Sequence, residues 1–292
     1  MDVTQFNADR VWTKNYAPKV PRDIEPVTTS VYGLLRDRAE AFGNNTSLVF
    51  FGRETTFAQL HNQVLRVANG LRRLGVKPGD RVALVMPNCP QHVIAYHAVL
   101  RLGAIVAEHN PLYTRSELLT QYRDHGATIT IAWDKVAPTV QSLAGEVEVR
   151  RVISVNMTRA MPLKMQALLR LPVAKARESR EKLTAKAPGT VPFEKLLAQK
   201  PLPAHFPEPT ASDIAALTYT SGTTGTPKGA MLTHSNLLSN AYQGKAWMPD
   251  FELGKETIYA LLPIFHSFGL LLGFSYGLVS AAQVVLFPSF DG

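Results

Sequence analysis

The chain has 292 residues, 46% of them hydrophobic, with 31 basic and 23 acidic side chains and a formal net charge of +8. This is ordinary globular composition, long enough for one large domain or two small ones with a substantial core. A single cysteine, Cys89, excludes an intramolecular disulfide, and no apolar run reaches the roughly 18 residues of a spanning helix. The richest apolar stretch, 270–279, is short and broken by Gly273 and Gly277. Met1-Asp2-Val3-Thr4-Gln5 lacks the basic and apolar regions of a secretory signal, so the expected setting is a reducing cytoplasm.

Residues 1–30 hold Pro18, Pro21 and Pro26 and read as an extended arm over a core. A short helix follows at 31–42, then a strand at 47–51 and a turn at Gly52-Arg53. The clearest helix is 57–74, where Phe57, Leu60, Val64, Val67, Leu71 and Leu74 recur every three or four residues. Thr56 suits its N-cap and Gly75 its stop. The near-continuous apolar run 81–86 reads as a strand buried on both faces. Helices at 91–102, 116–125 and 134–143 then alternate with extended segments at 104–107, 128–133 and 152–155. That rhythm predicts a parallel, doubly wound α/β sheet.

The basic excess is concentrated. Ten of the 31 basic residues lie between Arg150 and Lys186, against only Glu178 and Glu181. Pro162 and Pro172 limit helix length there, and Met161, Leu163, Met165, Leu168 and Leu171 interleave with the charges. One reading is a solvated insertion resting on the domain. The other is a patch for an anionic membrane surface, at about 1 kcal/mol for each basic residue. Nucleic acid is not expected, because the segment has no aromatic residues to stack on bases and no DNA-binding motif accompanies it.

A Pro-rich connection at 188–209 surrounds a short helix at 193–199 and leads to an apolar strand at 214–217. Then come Thr220-Ser221-Gly222-Thr223-Thr224-Gly225-Thr226-Pro227-Lys228-Gly229. Such a stretch cannot build a core, but it can wrap a polyanion. Glycines allow close backbone approach, hydroxyls and N–H groups donate, and Lys228 adds positive charge. Walker A spacing fails, since Lys228 sits between Pro227 and Gly229, and Gly-x-Gly-x-x-Gly is absent. A flexible linker is the bland alternative; the preceding strand and the Pro-Lys-Gly ending argue against it. Beyond lie a helix at 234–247, a strand at 257–262, the stretch Pro263-Ile264-Phe265-His266-Ser267-Phe268-Gly269, an apolar helix to 279 and a strand at 283–287.

The loop 220–229 resembles the signature loop of the adenylate-forming superfamily, which holds acyl-CoA ligases, firefly-type luciferases and peptide-synthetase adenylation domains. Leu261-Leu262-Pro263-Ile264-Phe265-His266-Ser267-Phe268-Gly269 resembles its next core motif. Leu102-Gly103-Ala104-Ile105-Val106 with Asn110-Pro111-Leu112-Tyr113-Thr114 resembles an earlier one. The resemblance implies an α/β fold: the N-terminal domain of the adenylate-forming fold, with mostly parallel sheets covered by helices, ending before the small C-terminal domain. Residues 31–292 would form this partial AMP-binding domain, with a basic insertion at 157–190. It implies ATP-dependent activation of a fatty acid to an acyl-adenylate and transfer to coenzyme A, with Mg²⁺. By resemblance Thr220, Ser221, Gly222, Thr223, Thr224 and Lys228 contact the β- and γ-phosphates, with Gly225, Thr226, Pro227 and Gly229 completing the nucleotide loop. Thr220 is the Mg²⁺-side hydroxyl.

His266 alone would pass for a structural histidine. Within Pro-x-Phe-His-x-Phe-Gly it is expected to line the acyl and adenylate pocket. Amino-acid-activating relatives carry aspartate in this motif to pair with the substrate's ammonium, so His266 favours an acid without an α-amino group. Gly269, Gly273 and Gly277, spaced by four, serve either close helix packing or room for an acyl chain. His97, His109 and His234 lack metal-ligand spacing, and Asp124-His125 has no serine beside it for a triad. The superfamily's aromatic-Gly-x-Thr-Glu motif, ribose-binding aspartate, hinge and catalytic lysine do not occur in these residues. The expectation is thus an incomplete N-terminal portion with little activity alone. Alternatives are an aryl- or other acid-CoA ligase, or a noncatalytic nucleotide- or acyl-binding remnant. The expected partners are a fatty acid or other carboxylic acid and coenzyme A, with peripheral membrane contact through 157–186 on the second reading of that segment.

Overall fold

The computed structural model describes residues 10–220 and 227–288. Strands β1 (Thr46–Phe50) and β2 (Arg53–Thr56) form a hairpin. Its two-residue turn is Phe51-Gly52, one residue earlier than expected, with φ of 50° and 80°; positive φ at both positions is what a tight hairpin turn requires. Next come β3 (Arg81–Val85), β4 (Ile105–His109), β5 (Ile129–Trp133), β6 (Arg151–Val155) and β7 (Val191–Pro192). The C-terminal part supplies β8 (Ile214–Thr220), β9 (Lys228–Thr233), β10 (Thr257–Ala260) and β11 (Gln283–Leu286).

These strands make two sheets. The larger has the order β7-β6-β5-β3-β4-β8-β9, parallel except for β9. The smaller has the order β10-β11-β1-β2, parallel except for β2. The mostly parallel α/β architecture agrees with the sequence expectation, but two features depart from it. Strand β9 occupies residues read as loop running into a helix. The segment 134–143 is helical only at Ala137–Gln141.

The larger sheet is covered on both faces. On one lie helices Phe57–Arg73 and Pro90–Arg101, between the two sheets. Thr56 caps the first through a capping box with Gln59, which contributes about 1 kcal/mol. Its buried Phe57, Leu60, Val64, Val67 and Leu71 each contribute roughly 1.5–3 kcal/mol on burial. Every residue of Pro90–Arg101 is buried, as expected for a helix enclosed on all sides. On the opposite face, helix Arg115–His125 packs a second, smaller core with Leu118, Leu119 and Tyr122.

The basic insertion forms two short helices, Leu163–Leu168 and Ala174–Leu183, neither burying a residue. It is tied down where Trp133 Nε1 donates to Leu183 O (2.9 Å) and Lys135 Nζ to Glu181 O (2.7 Å).

The apolar helix near the chain's end is not regular. Between Ser267–Gly269 and Gly277–Val279 it widens to a π-helix at Leu270–Tyr276. Its glycines mark close approach. A Cβ at Gly269 would lie 2.0 Å from Pro263 O, and one at Gly277 2.8 Å from Val284. These contacts support the close-packing reading of the glycines. Gly269→Ala is therefore expected to destabilise the fold by at least about 1–3 kcal/mol, since the obstructing atom is backbone. Urea unfolding checks this; an unchanged midpoint would contradict the packing.

Candidate functional site

The site grows from the edge of the larger sheet. Strands β4 and β8 pair in parallel, Val106 with Ala216 and Ala107 with Leu217. The next positions along them are Glu108 and Thr218. Successive side chains alternate between faces, so Glu108, Thr218 and Thr220 share the face that looks toward the smaller sheet. Strand β9 then returns antiparallel, with Thr220 opposite Lys228 and Tyr219 opposite Gly229. Thr220 and Lys228 thus stand side by side at the hairpin end, both exposed. Pro227 is half-buried beside them. Ser221, Gly222, Thr223, Thr224, Gly225 and Thr226, six of the residues expected to bind nucleotide, lie outside the described residues.

The second motif meets this edge from across the fold. Asn88, just beyond β3, donates through Nδ2 to Ala260 O (3.0 Å) and Leu262 O (2.9 Å). Its Oδ1 accepts from Ile264 N (2.8 Å). One buried amide therefore fixes the backbone of 260–264 against the larger sheet. His266 follows as the N-cap of Ser267–Gly269, its Nδ1 accepting from Phe268 N (3.4 Å), and its ring is exposed. A cavity of about 320 Å³ results, lined by Glu108, Asn110, Thr218, Thr220, Phe265 and His266 among others. Residues from all three motif stretches therefore share one cavity. Through Asn110 and Phe265 it borders a larger, mainly apolar cavity of about 590 Å³, walled by Leu112, Leu261, Leu262 and Leu183.

Two residues here escaped the sequence reading. Glu108 and His92 have side chains 1% and 0% exposed, with Nε2 of His92 3.0 and 3.1 Å from the two carboxylate oxygens. A carboxylate buried at a cavity floor without such a partner would carry a large desolvation cost. The available signal was a lone acid inside an apolar strand. Thr218 Oγ1, beside it, is buried without a hydrogen-bond partner among the described residues. The exposed Thr220 hydroxyl, with Lys228 on the neighbouring strand and polar groups below, suits an anionic ligand with apolar surface attached.

The sequence profile described as "AMP-binding enzyme" matches residues 35–292. The chain belongs to the AMP-binding enzyme family. A curated relative, the long-chain-fatty-acid–CoA ligase of Bacillus subtilis (strain 168), is 32% identical over 294 residues, covering 98% of this chain and 51% of the relative. Among solved structures, a long-chain-fatty-acid-CoA ligase from Archaeoglobus fulgidus superposes with a TM-score of 0.74 at 23% identity, covering 95% of this chain and 50% of that one. An anthranilate CoA ligase in complex with anthranoyl-AMP gives 0.73 at 24% identity, covering 91% and 46%. The chain thus spans about half the length of the relatives it matches.

In this AMP-binding domain no group of three or more His, Cys, Asp or Glu among the described residues could hold a metal ion. The histidines set aside in the sequence are core residues. Burial pushes His109 down to about 4, against a hydrogen bond from its Nδ1 to Gln121 (2.6 Å) that favours the charged form. Burial likewise lowers His234 to about 4, and burial with the charges of His234 and His61 lowers His97 to about 3. His125 is lowered too, by burial and then by His109 and Arg81. The unfolded chain therefore takes up these protons first, near the ordinary histidine value of about 6.5. Asp134 acts in the opposite sense, since burial raises it to about 6, but it is one group against four. The domain's stability should hold above pH 7 and fall as pH drops from about 6.5 toward 4, with a slope of up to about 1.4 kcal/mol per pH unit for each net proton. Urea midpoints at pH 7.5 and 5.5 check this; a higher midpoint at pH 5.5 would contradict it.

Proposed function

We propose that this chain carries the nucleotide and acid site of an AMP-forming acyl-CoA ligase acting on fatty acids. The observation that carries the reading is the shared cavity, with Thr220 and His266 in its lining and Lys228 paired across the strands with Thr220. In the proposed reaction a carboxylate oxygen attacks the α-phosphorus of ATP. The bond to pyrophosphate breaks and an acyl-adenylate forms; the coenzyme A thiol then attacks the acyl carbon, and AMP leaves. Lys228 and the hydroxyls of 220–226 are assigned to the β- and γ-phosphates, where preorganised donors stabilise developing charge. Mg²⁺ would arrive with the nucleotide and keep most of its ligands from phosphate and water; Thr220 is the hydroxyl this chain offers it. His266 is assigned to the acid's side of the cavity. The apolar cavity next door and the 32% identity to a ligase named for long-chain fatty acids favour a hydrocarbon acid over an aryl one.

The exposed leucines of the basic insertion support a further proposed contact, with an anionic membrane surface. Leu163, Leu168 and Leu171 are 80%, 50% and 47% exposed, among ten basic residues. Among the described residues no helix is long and apolar enough to cross a membrane, so the contact proposed is peripheral. Vesicles containing phosphatidylserine should pellet the wild type and lose it on charge reversal at Lys175, Arg177 and Arg180. Equal binding of both proteins would contradict it.

Calorimetry with Mg·ATP tests the main reading on the chain as it stands. Wild type is expected to bind, and Lys228→Ala to bind about ten- to a hundredfold more weakly, as for loss of a charge-assisted hydrogen bond. A long-chain acid should then bind in preference to an aryl acid. No Mg·ATP binding by wild type, or none lost in Lys228→Ala, would overturn the assignment.

A further inference from the structure

Tyr219, between Thr218 and Thr220, borders the cavity but alternates to the opposite face of β8. Its ring lies toward helix Arg115–His125, where the hydroxyl donates to Asp124 Oδ2 at 2.6 Å and lies 3.4 Å from Gln121 O. Burial and the Asp124 carboxylate push the phenol's pKa up, so the group stays a donor. The ring stacks on His109 (centroids 6.0 Å, 24°) and meets His125 edge-on (6.1 Å, 62°).

Gly229 is the cross-strand partner of Tyr219. A Cβ at 229 would stand 3.2 Å from Tyr219 Cζ and 3.4 Å from its hydroxyl oxygen. The ring therefore lies close across the backbone of β9, and the glycine makes room for it. One residue further along each strand are Thr220 and Lys228, also paired. The ring and the glycine it lies against are thus each one residue away from Thr220 and Lys228.

We propose that Tyr219, latched by Asp124 and seated on Gly229, is a positioning residue that sets the separation and orientation of Thr220 and Lys228. This rests on the reading of Thr220 and Lys228 as phosphate contacts. The latch explains why an exposed edge strand such as β9 keeps its register, which edge strands hold weakly by themselves. It also gives Asp124, left without a role in the sequence, a partner 95 residues away.

The experiment compares Tyr219→Phe, Asp124→Ala, the double variant and Tyr122→Phe. Tyr122 is the control. It sits on Arg115–His125, the helix that carries Asp124, and loses a more deeply buried hydroxyl contact, to Thr130 at 2.8 Å, but does not touch β8 or β9 through that hydroxyl. Two readouts are taken: amide hydrogen exchange in 228–233 without nucleotide, and Mg·ATP affinity. Tyr219→Phe and Asp124→Ala should each speed exchange in 228–233 and weaken Mg·ATP about fivefold or more, with the double variant no worse than either single. Asp124→Asn, which keeps an acceptor, should recover part of the loss. Tyr122→Phe should lower the melting temperature and leave both readouts at the wild-type level. Unchanged exchange in 228–233 overturns the latch whether or not nucleotide binds. Faster exchange with undiminished Mg·ATP affinity overturns its positioning role. Failure of the wild type to bind Mg·ATP instead counts against the phosphate assignment, and the exchange data still decide whether the latch exists.

Discussion

The parallel pairing of β4 with β8 is the contact on which the site depends. It places Glu108 beside Thr218 on the cavity face and, one residue further, His109 beside Tyr219 on the helix face. Parallel strands cannot be joined by a tight turn, so a long crossover must separate them. It runs through helix Arg115–His125, the basic insertion, and strands β5, β6 and β7 of the same sheet before returning as β8. The insertion is thus carried on the long crossover, where added residues cost little loop-closure entropy. Its helices bury no residue fully, though Met165 and Leu183 rest against the core, and its last turn borders the apolar cavity.

A second constraint joins the two sheets. Helix Pro90–Arg101 is packed between them, and Asn88 at its approach takes three backbone groups of 260–264 as partners. Cavity width is therefore set by buried, satisfied hydrogen bonds on a rigid helix entrance. Binding groups held by buried, satisfied contacts keep their geometry better than groups carried on loops alone. His92, on the same helix, holds Glu108 and meets Phe274 of the π-helix edge-on at 5.8 Å. One helix thereby links the cavity floor to the segment that carries His266.

What was legible in the sequence was local. Helix Phe57–Arg73 announces itself because one face is apolar and both ends carry caps. The alternation of strands and helices was legible for the same reason, and the stretch 220–229 stood out because its glycines and hydroxyls have no core role. Strand β9 was not legible. Its residues Gly229-Ala230-Met231-Leu232 show no clean alternation, Met231 is 66% exposed, and its extended form comes from pairing with β8. The His92–Glu108 pair depends on how a helix turns over a strand, which periodicity does not report. Asp124 was likewise read beside His125, its neighbour in sequence, whereas its hydrogen-bond partner is Tyr219. The π-helix was hidden because its apolar residues fit a regular helix equally well; the close approach of Gly269 to Pro263 is a tertiary fact.

Lys228, set opposite Thr220 at the start of β9, is proposed to face the phosphates of a nucleotide whose acyl partner lies toward His266. A reactive ATP analogue that transfers its tag to lysines near bound phosphates tests this directly, with tagged sites read by mass spectrometry. Lys228 is expected to be tagged faster than an exposed lysine such as Lys255, and unlabelled Mg·ATP is expected to protect it. Tagging of Lys228 no faster than Lys255, with no protection by Mg·ATP, would contradict it.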